Sequence, residues 1–187
     1  WRALYHGEQI STSDMGTTGV RDPYITKNPE TGTYDIIATD LRVVDGTSTE
    51  ISDDSWREWW RQGSTNLVVW ESSELVHWRG PHCLDVAVRP AGTRDQLGMA
   101  WACECQWVPD FYPVGHVGSR GAFVMYWSST VFDRTDTNHD AADAHSVILW
   151  ATTTDFTQET FEYGGVFLDT GGDAIDMTLL RRPLAVG

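Results

Sequence analysis

The sequence predicts an all-β protein. Short segments rich in β-branched and aromatic residues alternate with a period of two along the chain. Gly, Asn and Asp turns separate them, and no convincing 3.6-residue apolar pattern interrupts them. A third observation is an internal repeat. Leu67-Val68-Val69-Trp70-Glu71-Ser72-Ser73-Glu74-Leu75 matches Ile148-Leu149-Trp150-Ala151-Thr152-Thr153-Thr154-Asp155-Phe156 in residue type. Each is an apolar strand with a tryptophan, then small hydroxyl residues, an acid and an apolar residue.

Taken in order, the predicted strands cover roughly 20–26, 33–39, 66–71, 75–78, 99–108, 122–128, 146–152 and 174–180. The first opens at Gly19-Val20-Arg21-Asp22-Pro23-Tyr24-Ile25, where a carboxylate lies between an arginine and a proline. Proline cannot donate to a strand ladder, so it is tolerated at strand starts and edges. Asp22 is therefore expected at a strand mouth, where its carboxylate can face a cavity; a turn aspartate paired with Arg21 is the plainer alternative. Residues 53–62 suit a helical turn with Asp53 or Asp54 as N-cap, inside a long loop. The acidic stretch 133–143 reads as a surface loop, without the spacing or central glycine of a calcium loop.

The repeat extends upstream. Tyr34–Thr39 matches Phe123–Ser128, and the segment from Val20 matches the one from Trp101. Two four-strand units thus span about 20–80 and 100–160, and a third begins near 174 with Ala174-Ile175-Asp176-Met177-Thr178. Antiparallel four-strand units at this period are the signature of β-propeller blades. A two-sheet sandwich is the rival, and the internal repeat favours the propeller. In a propeller the first strand of each blade lines the central channel. Asp22, the Ala102–Glu104 region and Asp176 then surround one axial cavity.

These segments resemble glycoside hydrolase family 43, inverting glycosidases that act on arabinose- and xylose-containing glycans. Gly19–Ile25 resembles the family's opening strand, and Val69–Trp78 is similar to its W-E-S-x-D-L-V-x-W segment. Ala100-Trp101-Ala102-Cys103-Glu104 resembles A-W-A-P-E, with Cys103 where proline is usual. Tyr34–Leu41, Val124–Ser129 and Ala174–Thr178 complete the series in order. The resemblance implies a partial five-bladed β-propeller, about two blades plus the first strand of a third, with residues 1–187 as the N-terminal part of a catalytic domain. It implies Asp22 as the general base that activates water, and Asp176 as the second aspartate, which orients the general acid and tunes its pKa. That acid is a glutamate on a later blade and is expected beyond Gly187. The segment 181–187 departs from the turn and strand that should follow Asp176.

An inverting glycosidase sets an ionised carboxylate on one side of the sugar and a protonated carboxyl on the other, with room for water between them. Arg21 beside Asp22 is expected to favour the ionised base, and Asp176 to keep the acid protonated by like-charge repulsion. Glu104 and Arg21 are candidates for the substrate site, Glu104 with a structural ion pair or the proton-donating acid itself as its alternatives. Trp101 is a candidate to stack on a sugar at the cavity mouth, with a core role as its alternative. Trp70, Trp78, Trp127 and Trp150 read as core. Trp56, Trp59 and Trp60 sit in a polar stretch and could form an outer sugar subsite or cap the channel edge.

Ten tryptophans in 187 residues suit sugar stacking and β cores equally. A net charge of −14 argues against nucleic acid, and no apolar run is long enough to span a bilayer. The expected partner is an oligo- or polysaccharide. Cys83, Cys103 and Cys105 cannot all pair with one another and are expected as free thiols. No cofactor and no metal site are expected, because His82 and His116 do not complete a ligand cluster. The chain begins at Trp1, which suggests a processed chain or an excerpt; a secreted, extracellular location is expected. Incomplete blades leave sheet edges, so self-association through them is expected. A glycan-binding propeller fragment without catalysis is the alternative function.

Overall fold

The computed structural model describes residues 4–43 and 51–180. Residues 181–187, where the sequence departs from the expected third unit, lie outside them. After a short 3-10 turn at Leu4–Gly7 come β1 (Val20–Lys27), β2 (Tyr34–Asp40), α1 (Asp53–Gln62), β3 (Asn66–Ser72) and β4 (Arg79–Asp85). The second unit holds β5 (Trp101–Val108), β6 (Ala122–Thr130), β7 (Ser146–Thr153) and β8 (Glu162–Leu168). The strands form two antiparallel four-stranded sheets in sequential order, β1-β2-β3-β4 and β5-β6-β7-β8. This is a partial β-propeller of two blades. Among the described residues no helix is long and apolar enough to cross a membrane.

The blades pack with β5 against β1 and β2. Period-two alternation in β2 and β3 sends Ile37, Leu67 and Val69 toward the second blade, where they meet Cys103, Cys105, Phe123, Met125, Trp127, Leu149 and Phe156. The alternate residues Ala38, Val68 and Trp70 form a smaller cluster on the opposite face with Ile36 and Trp78. β3 is thus buried on both faces, which is why it reads as a continuous apolar run rather than an alternating one. Trp70 and Trp127 are core residues, and Trp78 and Trp150 are half-buried. The three cysteines are free, and burial pushes the Cys105 thiol up to about 12.

Three expectations need correction. The strand expected at 75–78 is a turn: the Ser72 hydroxyl accepts from the backbone N–H groups of Glu74 (3.2 Å) and Leu75 (2.9 Å), and Leu75 takes a left-handed φ of 69°. The fourth strand is β4, carrying Gly80 and Pro81, which it tolerates as the outermost strand of its sheet. The second correction is β8, which has no counterpart among the expected strands. Its Gly164 faces the Trp150 ring so closely that a Cβ there would overlap the indole. The third is the segment 174–180, which forms no strand. It instead crosses the ends and face of the second blade, with Ala174 N donating to Ser146 O (2.9 Å) and Leu179 N to the Tyr126 hydroxyl (3.2 Å). The helix at Asp53–Gln62 is as expected, but its cap is Ser52, whose side chain accepts from Ser55 N.

The repeat persists in three dimensions. Thr153 Oγ1 accepts from the N–H groups of Asp155 (3.3 Å) and Phe156 (2.9 Å), as Ser72 does one blade earlier, and Phe156 shares the left-handed φ of Leu75.

Candidate active site

The innermost strand of each blade is interrupted at the same place. β1 pairs regularly with β2 except between Arg21 and Tyr24, and β5 with β6 except between Trp101 and Glu104. Each break inserts Asp22-Pro23 or Ala102-Cys103 as a bulge, a device that re-aims side chains next to active sites. Asp22, Ala102 and Asp176 all take left-handed conformations, with φ of 47°, 49° and 55°. Aspartate tolerates this region better than most residues, whereas alanine is strained in it.

A hydroxyl on one blade tethers the left-handed residue that follows it in the next unit. Ala102 N donates to Thr39 Oγ1 (2.9 Å), and Asp176 N donates to Ser128 Oγ (3.1 Å). Thr39 pairs with Arg21 in the first sheet, and Ser128 with Trp101 in the second, so the two hydroxyls occupy equivalent positions. Two residues after each bulge a side chain reaches across to the next unit. Tyr24 Oη donates to Cys105 O (3.1 Å), and Glu104 Oε2 accepts from Thr178 Oγ1 (2.8 Å). Residues 176–178 therefore stand to the second blade as residues 102–105 stand to the first, without strand pairing among themselves.

Asp22, Pro23, Tyr24, Ala102, Cys103, Glu104, Asp176 and Met177 line one open cavity of about 250 Å3. Asp22 and Asp176 are exposed to it, and Glu104 is half-buried. Glu104 Oε2 also accepts from Tyr126 Oη (2.9 Å), whose oxygen accepts the Leu179 N–H in turn. Burial, and then the carboxylate of Glu104, hold the Tyr126 phenol well above its ordinary pKa, so it stays a donor. Cys103 lines the wall, but burial raises its thiol far above the usual range and leaves no thiolate there. Among the described residues, no group of three or more His, Cys, Asp or Glu side chains is placed to hold a metal ion.

Of the residues singled out from the sequence, the structure brings Asp22, Glu104 and Asp176 together and sends Arg21 and Trp101 next door. The Arg21 guanidinium lies over the Trp56 ring, 5.8 Å from its centroid, and among the described residues it makes no ion pair with Asp22. The bulge is the reason: it turns Asp22 into the cavity while Arg21 stays on the ladder facing α1. Trp101 meets Trp56 edge-to-face at 6.2 Å, in a groove under α1. The sequence reading missed Tyr126, Thr178 and the paired hydroxyls of Thr39 and Ser128. Their role follows from cross-strand register, and only the alignment of Thr39 with Ser128 in the repeat hinted at it.

Sequence comparison identifies this as a glycosyl hydrolase-like domain. The chain belongs to the glycosyl hydrolase 43-related family, a probable glycosyl hydrolase domain, whose sequence profile matches residues 1–185. It is similar to an alpha-L-arabinofuranosidase of Bifidobacterium longum subsp. longum, 28% identical over 185 residues, covering 94% of this chain. The chain spans 15% of the length of that curated relative. Among solved structures it matches an N-acetylgalactosamine deacetylase from F. plautii in complex with blood group B trisaccharide. That match has a TM-score of 0.43 and 17% identity, covering 75% of this chain and 28% of the other.

Proposed function

We propose that this domain contributes the base side of an inverting glycosidase active site that hydrolyses O-glycosidic bonds of arabinose- or xylose-containing plant oligosaccharides and polysaccharides. The observation that carries this reading is the convergence of Asp22 and Asp176, from equivalent positions of separate units, on one cavity. Asp22 acts as general base, taking a proton from the water that attacks the anomeric carbon. Asp176, held through its backbone by Ser128, orients the proton-donating acid and raises its pKa by like-charge repulsion. That acid protonates the leaving oxygen from the opposite side of the sugar, with the carboxyls about 6.5–9.5 Å apart to leave room for water. Glu104, tied to Tyr126 and Thr178, is not free to be this donor; it supports the substrate and anchors the segment that carries Asp176. A polysaccharide substrate places the enzyme outside the cell.

The test is hydrolysis of nitrophenyl α-arabinofuranoside and nitrophenyl β-xyloside, whose nitrophenolate departs without help from the proton-donating acid, followed by proton NMR of the first-formed sugar. The expected product has the anomeric configuration opposite to the substrate's. Retention of configuration overturns the mechanism, and glycan binding without any turnover favours a binding domain instead.

A further inference from the structure

α1 is an insertion between β2 and β3, and its composition is unusual for an exposed helix. None of its residues is buried, yet it carries Trp56, Trp59 and Trp60. Aromatic surface left in water is costly unless something covers it, and contiguous exposed patches mark binding sites. The helix is also held rigidly. Ser52 caps its start, Trp60 Nε1 donates to Ser146 Oγ (2.5 Å), and Arg61 donates to the carbonyls of His139 (2.6 Å) and Ala141 (3.0 Å). These anchors lie on the second blade, so the helix bridges both blades.

Between α1 and Trp101 lies a groove of about 320 Å3, walled by Trp56, Trp60 and Trp101 and rimmed by Asp53, Arg57 and Asp173. Trp56 remains 38% exposed, with Trp59 at its edge (5.0 Å) and Trp101 beyond (6.2 Å). An apolar wall with a few convergent polar groups is the make-up of a small-ligand site. Indole faces suit the weakly positive C–H faces of a sugar ring, while carboxylates and a guanidinium suit its hydroxyls. The groove also adjoins the carboxylate cavity. Arg21 and Trp101 each precede a bulge residue, and Asp173 lies just before the segment that carries Asp176.

We propose that this groove is a second sugar subsite, which holds one residue of a glycan chain whose neighbour occupies the cavity of Asp22 and Asp176. The proposal rests on the glycosidase reading above. The rim carries both signs: Asp53 and Asp173 face Arg57, itself paired with Asp54 (2.7 Å), while the Arg21 and Arg61 guanidinium groups lie over Trp56 and Trp60.

The test uses an Asp22→Asn background, which blocks turnover, and measures binding of xylose, xylobiose and xylotriose by calorimetry and tryptophan fluorescence. Affinity should rise about tenfold on adding the second sugar, the size of one good aromatic contact. Trp56→Ala should abolish that rise, and Trp56→Phe should restore most of it; a melt of each variant checks that the fold is kept. An unchanged length dependence in Trp56→Ala overturns the subsite while leaving the glycosidase reading intact. Length-dependent, Trp56-dependent binding in a protein with no hydrolytic activity keeps the subsite and overturns that reading. No binding of any oligosaccharide overturns the subsite, and wild-type hydrolysis then judges the other reading separately.

Discussion

In the first blade the bulge on the innermost strand carries Asp22; at the same place in the second blade it carries Ala102. Everything around the two positions is shared: the break in pairing, the left-handed φ, and the side chain two residues on that reaches the next unit. The connection after the second strand differs as well. In the first blade it carries the tryptophan-rich helix α1, and in the second an acidic loop that buries His139 against Phe132. The frame therefore sets where a side chain points, and the residue installed there sets the chemistry. A strained alanine kept at Ala102 shows that the bulge belongs to blade assembly and was not made for catalysis alone.

Breaking this comparison at the bulge should give the largest effect. Asp22→Asn should lower hydrolysis of a chromogenic glycoside by about 10²–10⁴-fold, the usual contribution of a general base, with folding intact. Ala102→Gly, at the equivalent position, should keep activity within a few fold and relieve the positive-φ strain, raising stability by about 1 kcal/mol. Steady-state rates and urea melts of the two variants check both.

Next in size is the pair Phe156 and Leu75, which share a turn but not an environment. Phe156 is fully buried between the blades, against Phe123 at 4.7 Å, and Leu75 is 36% exposed. Phe156→Ala should cost about 3–5 kcal/mol. Leu75→Ala should cost under about 1 kcal/mol by denaturant unfolding.

The paired hydroxyls separate position from stability. Thr39→Val leaves the Ala102 N–H without its acceptor, and Ser128→Ala does the same to Asp176. Each should cost about 1–3 kcal/mol. Only Ser128→Ala should also lower kcat, because only there does the tethered backbone carry a carboxylate.

The last comparison concerns Asp35, buried on β2 where the second blade has Val124. Burial, then repulsion from Glu71 and Asp155, pushes its carboxyl up to about 7 from an ordinary 3.8. The folded state holds a proton that the unfolded state releases. Its stabilising share is present below pH 3.8 and is lost as the pH rises through about 7. Asp35→Asn cannot ionise, so its stability relative to wild type should grow across that window and stay level below it. Melts taken across the pH range read this directly.

Much of this frame was legible in the sequence. β1, β2, β3, β5, β6 and β7 announce themselves by alternation or apolar runs, and matching Leu67–Leu75 to Ile148–Phe156 exposed the repeat. β4 and β8 stayed hidden because Gly80-Pro81 and Gly164-Gly165 carry turn chemistry, and edge strands tolerate such residues. The run 75–78 looked like a strand because Leu75 and Trp78 are apolar, yet a hydroxyl-capped turn holds it. In the site, the repeat aligned Asp22 with Ala102 and Asp176, so their meeting was legible. The Tyr126–Glu104–Thr178 chain was not, since it depends on which residues lie opposite across strands. Arg21 misled because chain neighbours need not share a direction when a bulge separates them.

The most direct measurement is a crystal structure of the Asp22→Asn protein with a xylose- or arabinose-containing oligosaccharide. A sugar ring is expected in the cavity lined by Glu104 and Asp176. The residue 22 side chain should lie within hydrogen-bond reach, about 2.6–3.2 Å, of a water facing the anomeric carbon. A sugar bound elsewhere, with the residue 22 amide and the Asp176 carboxylate touching neither sugar nor that water, would contradict the account.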